Sequence, residues 1–536
     1  MNRFILLAFA ALACLSGTPS LSSDLLSPVA ADRLGMVEAW HRQLGTIGGA
    51  TSIVDLRVWV QRNMERELIE VVAADKDGKA VSGGEVFRRI SAEMKNSTGS
   101  AIGKKEAERL AAFDVRKLKR RGIAATYRSV KLKQVRLYML GDDGGLSAYD
   151  AETGELLWSL RVGNPKLGYG TLGISDEFIT VINGTTMHRI IADDRKLDNS
   201  VAGGGRPLEP VRLDHVPVIG ATNTESFVVI PNTRSGLDTY TFENIPGQPG
   251  FEVFSGQAMD KPVRFANSSI VGWTTDRGFL YIMETAGEPT TYFRLQTDGT
   301  SAGGPTAASD DRFFLGSTGG RVYGVKATRI GVVLWNRSYG EPFYRAPFVA
   351  GEHVLIPSSY GNLYCLNAAD GFPVWSAPSR YIETVFAHAG NYYFARSSSG
   401  GLAVIDPVNG QQVSIGADVH VRRVIENHET DRVYLVSNGG TVQCLRPSAA
   451  ELPTYYSDVL QAANNNKVAK PEKPKNTEQS NPFGAADAAA PADAAPADPF
   501  GAAAPADDPF GAGAPADDPF GAAEPGAMGA DDPFGG

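Results

Sequence analysis

Ala148-Tyr-Asp150-Ala-Glu-Thr153-Gly154-Glu-Leu-Leu-Trp158 leads one apolar strand into another through a turn with Asp and Gly at fixed places. The chemistry of each position is specific. A carboxylate at Asp150 caps the turn by accepting backbone N–H groups. Gly154 takes the left-handed backbone that closes it, and Trp158 offers a large flat surface to a neighbouring sheet. The stretch before it, Val135 to Tyr149, is an apolar strand, an Asp-Asp-Gly-Gly turn and a second apolar strand. That is a β-hairpin with the positive-φ residues a tight turn requires.

The unit recurs. Similar hairpins are predicted to begin near Phe178, Phe227, Ile270, Arg312, His353, Tyr392 and Arg432, at intervals of about 40 residues. Cys365-Leu-Asn367-Ala-Ala-Asp370-Gly371-Phe-Pro-Val-Trp375 repeats the turn and the Trp. Val404-Ile-Asp406-Pro-Val-Asn409-Gly410 keeps the turn and loses the Trp, and Gly324 to Trp335 keeps the Trp after a longer turn. No Trp strand follows the last hairpin. Near the other end, Val37-Glu-Ala-Trp40-His-Arg-Gln-Leu-Gly45 reads as an orphan Trp strand, with Gly five residues after Trp as in Trp158 to Gly163 and Trp335 to Gly340. A ring closed by the N-terminal strand has no open sheet edge. The expected fold is therefore all-β, a single propeller of about eight four-stranded blades, with seven kept open because the repeats from Asn183 to Glu284 are degenerate.

The pattern Ala-x-Asp-x-x-Thr-Gly-x-x-x-Trp resembles the tryptophan-docking repeat of PQQ-like (pyrroloquinoline-quinone-type) β-propellers, and the chain resembles their BamB-like members over residues 34–446. In that family the Trp locks each blade to the next. The resemblance implies structural blade-docking roles for Trp40, Asp150, Gly154, Trp158, Trp335, Asn367, Gly371, Trp375, Asp406 and Gly410.

Residues 48–126 break the repeat. Ser52 to Val60 and Arg66 to Ala73 alternate like a hairpin, and Lys104 to Arg121 reads as an amphipathic helix stopped by Gly122. Ala107, Leu110, Ala111, Val115 and Leu118 form its apolar side. A small α+β insert at the first blade is expected, similar to inserts in PQQ-like proteins of planctomycete-type bacteria. The basic run Arg116 to Arg121 fits favourable charge at a helix C-terminus.

Residues 447–475 read as a linker and 476–536 as a disordered tail of Ala, Pro, Asp and Gly, a mixture that buries too little surface to fold. Five Pro-Phe-Gly motifs punctuate it. Phe483, Phe500, Phe510, Phe520 and Phe534 are candidate weak anchors that gain avidity together. From Pro447 onward there are 14 acidic and 4 basic residues, against a net charge of -9 for the whole chain. The body is thus close to neutral, which argues against nucleic acid as a partner.

Residues 1–23 read as a signal peptide: Arg3, then an apolar run from Phe4 to Ala13 that is too short to span a bilayer. Val29-Ala30-Ala31 is one candidate cleavage site, and Cys14 is a candidate lipid anchor. The mature chain is expected to be exported, periplasmic or envelope-bound, with no transmembrane helix. Cys365 and Cys444 fall in equivalent places of non-adjacent repeats, too far apart to bridge.

No catalytic, metal or cofactor site is predicted. His-Glu-x-x-His, Cys-x-x-Cys and Gly-x-Ser-x-Gly are all absent from the sequence, and the seven histidines show no ligand spacing. The expectation is a non-enzymatic, monomeric scaffold that binds an envelope protein. Two alternatives stay open: a quinoprotein dehydrogenase with PQQ and Ca²⁺ in its channel, and a structural envelope protein. No adjacent Cys pair or recognisable Asp base supports the first.

Overall fold

The computed structural model describes residues 25–457, apart from 46–47, 76, 82–84, 93, 95–101, 194–203, 243–248, 267 and 417–418. The predicted signal segment, Cys14 and the five tail phenylalanines lie outside the described residues. The described residues all belong to one compact unit, which lies within Met1–Lys470.

Alternating apolar residues and Gly-rich turns give eight antiparallel sheets among the described residues, one for each predicted hairpin. Blade 1 uses Ile53–Ala73, Ala125–Gly141, Gly145–Asp150 and Leu156–Arg161, from the channel outward. Blades 2 to 7 have their second strands at Phe178–Asn183, Phe227–Asn232, Ile270–Thr274, Arg312–Gly316, His353–Pro357 and Tyr392–Ser397. Blade 8 uses Arg423–Val424, Val433–Val436 and Thr441–Pro447, and its outer strand is Met36–Gln43. Trp40 faces Cys444 across that pairing. The N-terminal strand therefore completes the last blade.

The core is a cycle of seams. Leu137 and Val135 of blade 1 pack with Tyr434 and Cys444 of blade 8, and Tyr138 and Leu146 with Ile179 and Ile190 of blade 2. The same holds for 2 with 3, 3 with 4, 4 with 5, 5 with 6, 6 with 7 and 7 with 8. Eight blades therefore close the ring, which decides the question left by the degenerate repeats. Burial of each Leu-sized side chain contributes about 1.5–3 kcal/mol, so every seam is a hydrophobic core in its own right.

Two details differ from the sequence reading. Ser52 to Val60 and Arg66 to Ala73 do not form a hairpin. They are parts of one 21-residue strand paired along its length with Ala125–Gly141, with a bulge between Gln61 and Glu65. The intervening Gln61-Arg-Asn-Met-Glu65 holds no Gly or Pro to reverse the chain. The inner half of this strand is the inner strand of blade 1. The outer half, Val86–Ser91 and the helix Gly103–Arg120 make the insert, with Ala107, Ala111 and Val115 buried against Ile69, Val71 and Ile90.

The ordered body also exceeds residues 34–446. The helix Pro28–Arg33 is capped by Ser27, and Leu26, Ala30 and Ala31 sink into the core with Phe386 and Phe394. Gln443 bonds both backbone groups of Leu26, at 2.9 and 2.8 Å. Cleavage after Ala31 would strip these buried groups. At the other end, the Tyr455 hydroxyl donates to the Lys133 carbonyl (2.6 Å) and that of Tyr456 to the His388 carbonyl (2.5 Å). Cys365 and Cys444 are free and buried, and burial pushes both thiols up, Cys365 to about 12.

Candidate functional site

Two kinds of site emerge: the turns that dock the blades, and the channel they enclose. At the docking turns, Asp150 Oδ1 accepts the N–H groups of Glu152 (2.9 Å) and Thr153 (3.0 Å), and the Gly154 N–H returns to the Asp150 carbonyl. Asn367 and Asp406 make the equivalent bonds to Ala369 and Val408. Gly154, Gly371 and Gly410 hold φ of +69°, +72° and +74°. Each lies under an indole that leaves no room for a Cβ: Trp40, Trp335 and Trp375 respectively.

Those indoles donate to one repeated acceptor, the carbonyl of the residue after the Asp or Asn. The distances are 3.0 Å for Trp40 to Ala151, 2.9 Å for Trp335 to Ala368 and 2.8 Å for Trp375 to Pro407. The Trp that docks on a turn therefore comes from the preceding blade. Trp158 follows the turn of Asp150 and Gly154 in the chain but does not dock there. It covers Gly204 and Gly205 of blade 2 instead.

Sequence reasoning missed one docking residue. Phe293 in the outer strand of blade 4 covers Gly331 of blade 5, whose φ is +64°. Phe293 pairs with Ile282 as Trp158 pairs with Ala148 and Trp335 with Gly324, and a bulge follows each time. The signal was the register within the hairpin rather than the residue type.

The channel is a cavity of about 790 Å³ lined by residues from all eight blades. Its lining holds eight Lys and Arg side chains against five Asp and Glu among the described residues. One cluster gathers at Asp55, whose carboxylate accepts Arg57 Nε (3.1 Å) and the Leu172 N–H (2.9 Å). Burial raises the Asp55 pKa, but the Arg57 and Lys261 charges outweigh it and hold it below the ordinary value. Burial, aided by the Arg57 charge, pushes Lys261 down to about 8. The Arg423 guanidinium is spent on the carbonyls of Ile53 (2.5 Å) and Val54.

A second cluster surrounds Trp59. The guanidinium groups of Arg62 and Arg264 each lie 5.5 Å from its ring centroid, and its Nε1 donates to Asp176 at 2.9 Å. Arg62 pairs with Glu429 at 2.7 Å, whereas burial and the Arg62 charge bring Arg264 down to about 10. A third group joins Glu383 to Arg345 (2.6 Å) and Arg396 (2.8 Å). Nothing in the sequence marked these cations, because they lie outside the repeat motif and the body's net charge is near zero. Among the described residues no group of three or more His, Cys, Asp or Glu side chains is placed to hold a metal ion, and no helix is long and apolar enough to cross a membrane.

The two rims differ. The rim of strand 1–2 connections in blade 1 extends into the insert and is crossed by the C-terminal segment, where Glu451 pairs with Arg89 at 2.5 Å. The opposite rim carries the Gly-rich hairpin turns and exposes Tyr344, Tyr360 and Tyr381, at 51%, 69% and 70%. Tyr381 holds φ of +60°, fixed by bonds from Ser398 N–H to its carbonyl and from Ile382 N–H to the Gly361 carbonyl.

Residues 273–451 match the family model described as outer membrane protein assembly factor BamB. Solved structures similar to this chain include BamB from Moraxella catarrhalis, at 16% identity and a TM-score of 0.43, covering 58% of this chain and 91% of that one. A computationally designed protein, Ika8, aligns at 15% identity and a TM-score of 0.43, covering 58% and 92%. No curated protein matches the chain.

Proposed function

We propose that this PQQ-repeat, BamB-like propeller is an exported, non-enzymatic interaction module of the cell envelope that holds a protein partner on its hairpin-turn rim. The observation that carries the reading is the trio Tyr344, Tyr360 and Tyr381, exposed together on the rim that neither the insert nor the C-terminal segment covers. Tyr and Arg are among the residue types that dominate binding hot spots, and Arg345 adjoins Tyr344. Tyr381 keeps a left-handed backbone that costs a non-glycine residue about 1 kcal/mol or more, a feature that clusters at binding sites. The rigid ring beneath holds these side chains in place, so little ordering entropy opposes docking.

The test is a cross-linked pull-down from the host envelope with three forms: the full chain, a Tyr360→Ala/Tyr381→Ala variant, and a chain ending at Lys470. Truncation at Pro447 would be unsuitable, because Tyr455 and Tyr456 bond to the body. One partner should come down with the full and shortened chains and fall at least about tenfold with the double variant. Undiminished capture by the double variant rejects this rim. Loss of the partner on truncation moves the interaction to the tail.

A further inference from the structure

We infer that the outward face of the insert helix is a docking surface for an anionic lipid bilayer, with its cations on the headgroup phosphates and Phe113 and Ile123 at the interface. This goes beyond the rim that docks a protein and uses different residues.

The helix Gly103–Arg120 turns one side to its own sheet through Ala107, Ala111 and Val115. At about 100° per residue, Lys105, Arg109, Phe113, Arg116 and Arg120 share one stripe about 80° wide on the other side, and all five are exposed. Between Gly103 and Arg121 there are eight Lys and Arg against three Asp and Glu, in a body whose net charge is near zero. Two of those carboxylates are already held, Glu106 by Arg109 at 2.6 Å and Asp114 by Arg88 at 2.7 Å. Lys104 is taken by Glu67 at 2.7 Å. Lys105, Arg116, Lys117, Lys119, Arg120 and Arg121 form no ion pair among the described residues.

Helix stability does not explain this pattern. The macrodipole favours cations only in the last turn and disfavours one in the first, where Lys105 stands. Lys105 with Arg109 and Arg116 with Arg120 are like-charge neighbours four residues apart, an arrangement that weakens a helix. A layer of headgroup phosphates turns those repulsions into attractions.

The apolar groups set among the cations favour a bilayer over a soluble acidic protein. Phe113 is 57% exposed, and its neighbours three and four residues away include Arg109, Arg116 and Lys117. Past the helix end, Gly122 holds φ of +79° and the Ile123 N–H returns to the Leu118 carbonyl at 3.1 Å. That closure fixes Ile123, also exposed, close to Arg120 and Arg121. Cations beside exposed aromatic and aliphatic side chains suit the interfacial layer of a membrane. The insert extends the rim opposite Tyr344, Tyr360 and Tyr381, so a bilayer held there leaves those tyrosines free to dock a partner.

The test is co-sedimentation of the full chain with vesicles of phosphatidylcholine alone and of phosphatidylcholine mixed equally with phosphatidylglycerol. Binding should be saturable on the mixed vesicles and at least about tenfold weaker on the neutral ones. It should also weaken at least about tenfold at about 1 M salt, where the screening length falls to about 3 Å. Lys105→Gln/Arg116→Gln should weaken binding at least about tenfold. Arg294→Gln/Lys326→Gln removes the same charge from exposed positions on blades 4 and 5 and should bind like the unaltered chain. Lys105 and Arg116 face away from the sheet, so their variant should keep the denaturation midpoint of the unaltered chain, which separates a binding role from a folding one. Phe113→Ala should weaken binding about threefold or more with the same salt dependence. Equal binding to the two vesicles, no binding to either, or undiminished binding by Lys105→Gln/Arg116→Gln overturns the inference. So does binding that is indifferent to Phe113→Ala and matched by soluble polyglutamate, which assigns the face to an acidic protein. Tyr360→Ala/Tyr381→Ala should bind the vesicles normally, so the insert and the rim stand or fail separately.

Discussion

The seams between blades 5, 6 and 7 and those between blades 2, 3 and 4 do the same work with different parts. In the first set an indole lies over a left-handed glycine and donates to a fixed carbonyl, at 2.9 Å for Trp335 and 2.8 Å for Trp375. In the second, Phe178 stacks on Phe242 with centroids 4.6 Å apart, Arg189 reaches the Phe242 carbonyl at 3.0 Å, and Phe254 meets Trp273 and Tyr281 edge-on at 4.9 Å. The blades nevertheless keep the same strand order. The ring geometry therefore needs a filled seam, and the tryptophan turn is one way of filling it.

The largest effect expected tests whether the patterned seams are also the stronger ones. Trp335 is 6% exposed and combines ring contact with a satisfied N–H. Trp335→Ala should cost about 3–5 kcal/mol in chemical denaturation of the full chain. Phe293→Ala, at the same register position of blade 4 but only partly buried and with no N–H to lose, should cost about 2 kcal/mol. Equal losses would break the comparison and assign stability to area alone.

What the sequence made legible follows the same division. Eight hairpins could be placed because turn chemistry and alternation are local, and Trp40 could be assigned to closure because its motif survives at the opposite end of the chain from its blade. The docking partners of Asp150 and Gly154 were not readable from the motif itself: Trp40 is 111 residues from the carbonyl it bonds. The long strand Ile53–Ala73 reads as a hairpin in sequence because alternation persists through a bulge and only the absence of Gly and Pro between its halves speaks against it. The channel was invisible for a deeper reason. Its cations come from separate blades, and only closure of the ring brings Arg57, Lys261 and Arg423 together.

A smaller effect sharpens the comparison through pH. The docked seams at Trp335 and Trp375 bind through neutral groups, while the C-terminal segment rests on His388, whose ring stacks on Tyr456 with centroids 5.4 Å apart. Burial, with a lesser contribution from His353, brings His388 down to about 4. A histidine that resists protonation when folded binds more protons when unfolded below its ordinary value of about 6.5. Its contribution is therefore complete above that value and is lost as the pH falls from about 6.5 toward 4. The ring keeps some contact with solvent, so the loss should be about 1–2 kcal/mol. His388→Gln should remove that part of the pH dependence when its denaturation profile is subtracted from that of the unaltered chain. An unchanged difference across the window would show that the segment lifts off before the ring titrates.

The smallest effect separates ring contact from hydrogen bonding within the docked set. Trp40 Nε1 has its carbonyl at 3.0 Å, whereas Trp158 Nε1 is buried with no partner among the described residues. Both substitutions Trp40→Phe and Trp158→Phe remove part of an aromatic surface and one N–H. At Trp40 the loss includes a made hydrogen bond to the Ala151 carbonyl, which the Tyr434 hydroxyl also approaches at 3.3 Å. At Trp158 the loss removes an unsatisfied donor, which offsets the lost contact. Trp40→Phe should therefore be the more destabilising of the two by about 1 kcal/mol in denaturation midpoints. The same order should appear in hydrogen exchange of the Met36–Gln43 strand, which that indole ties to blade 1. If the two substitutions cost the same, the repeated N–H to carbonyl bond sets the orientation of the ring and adds nothing to its hold.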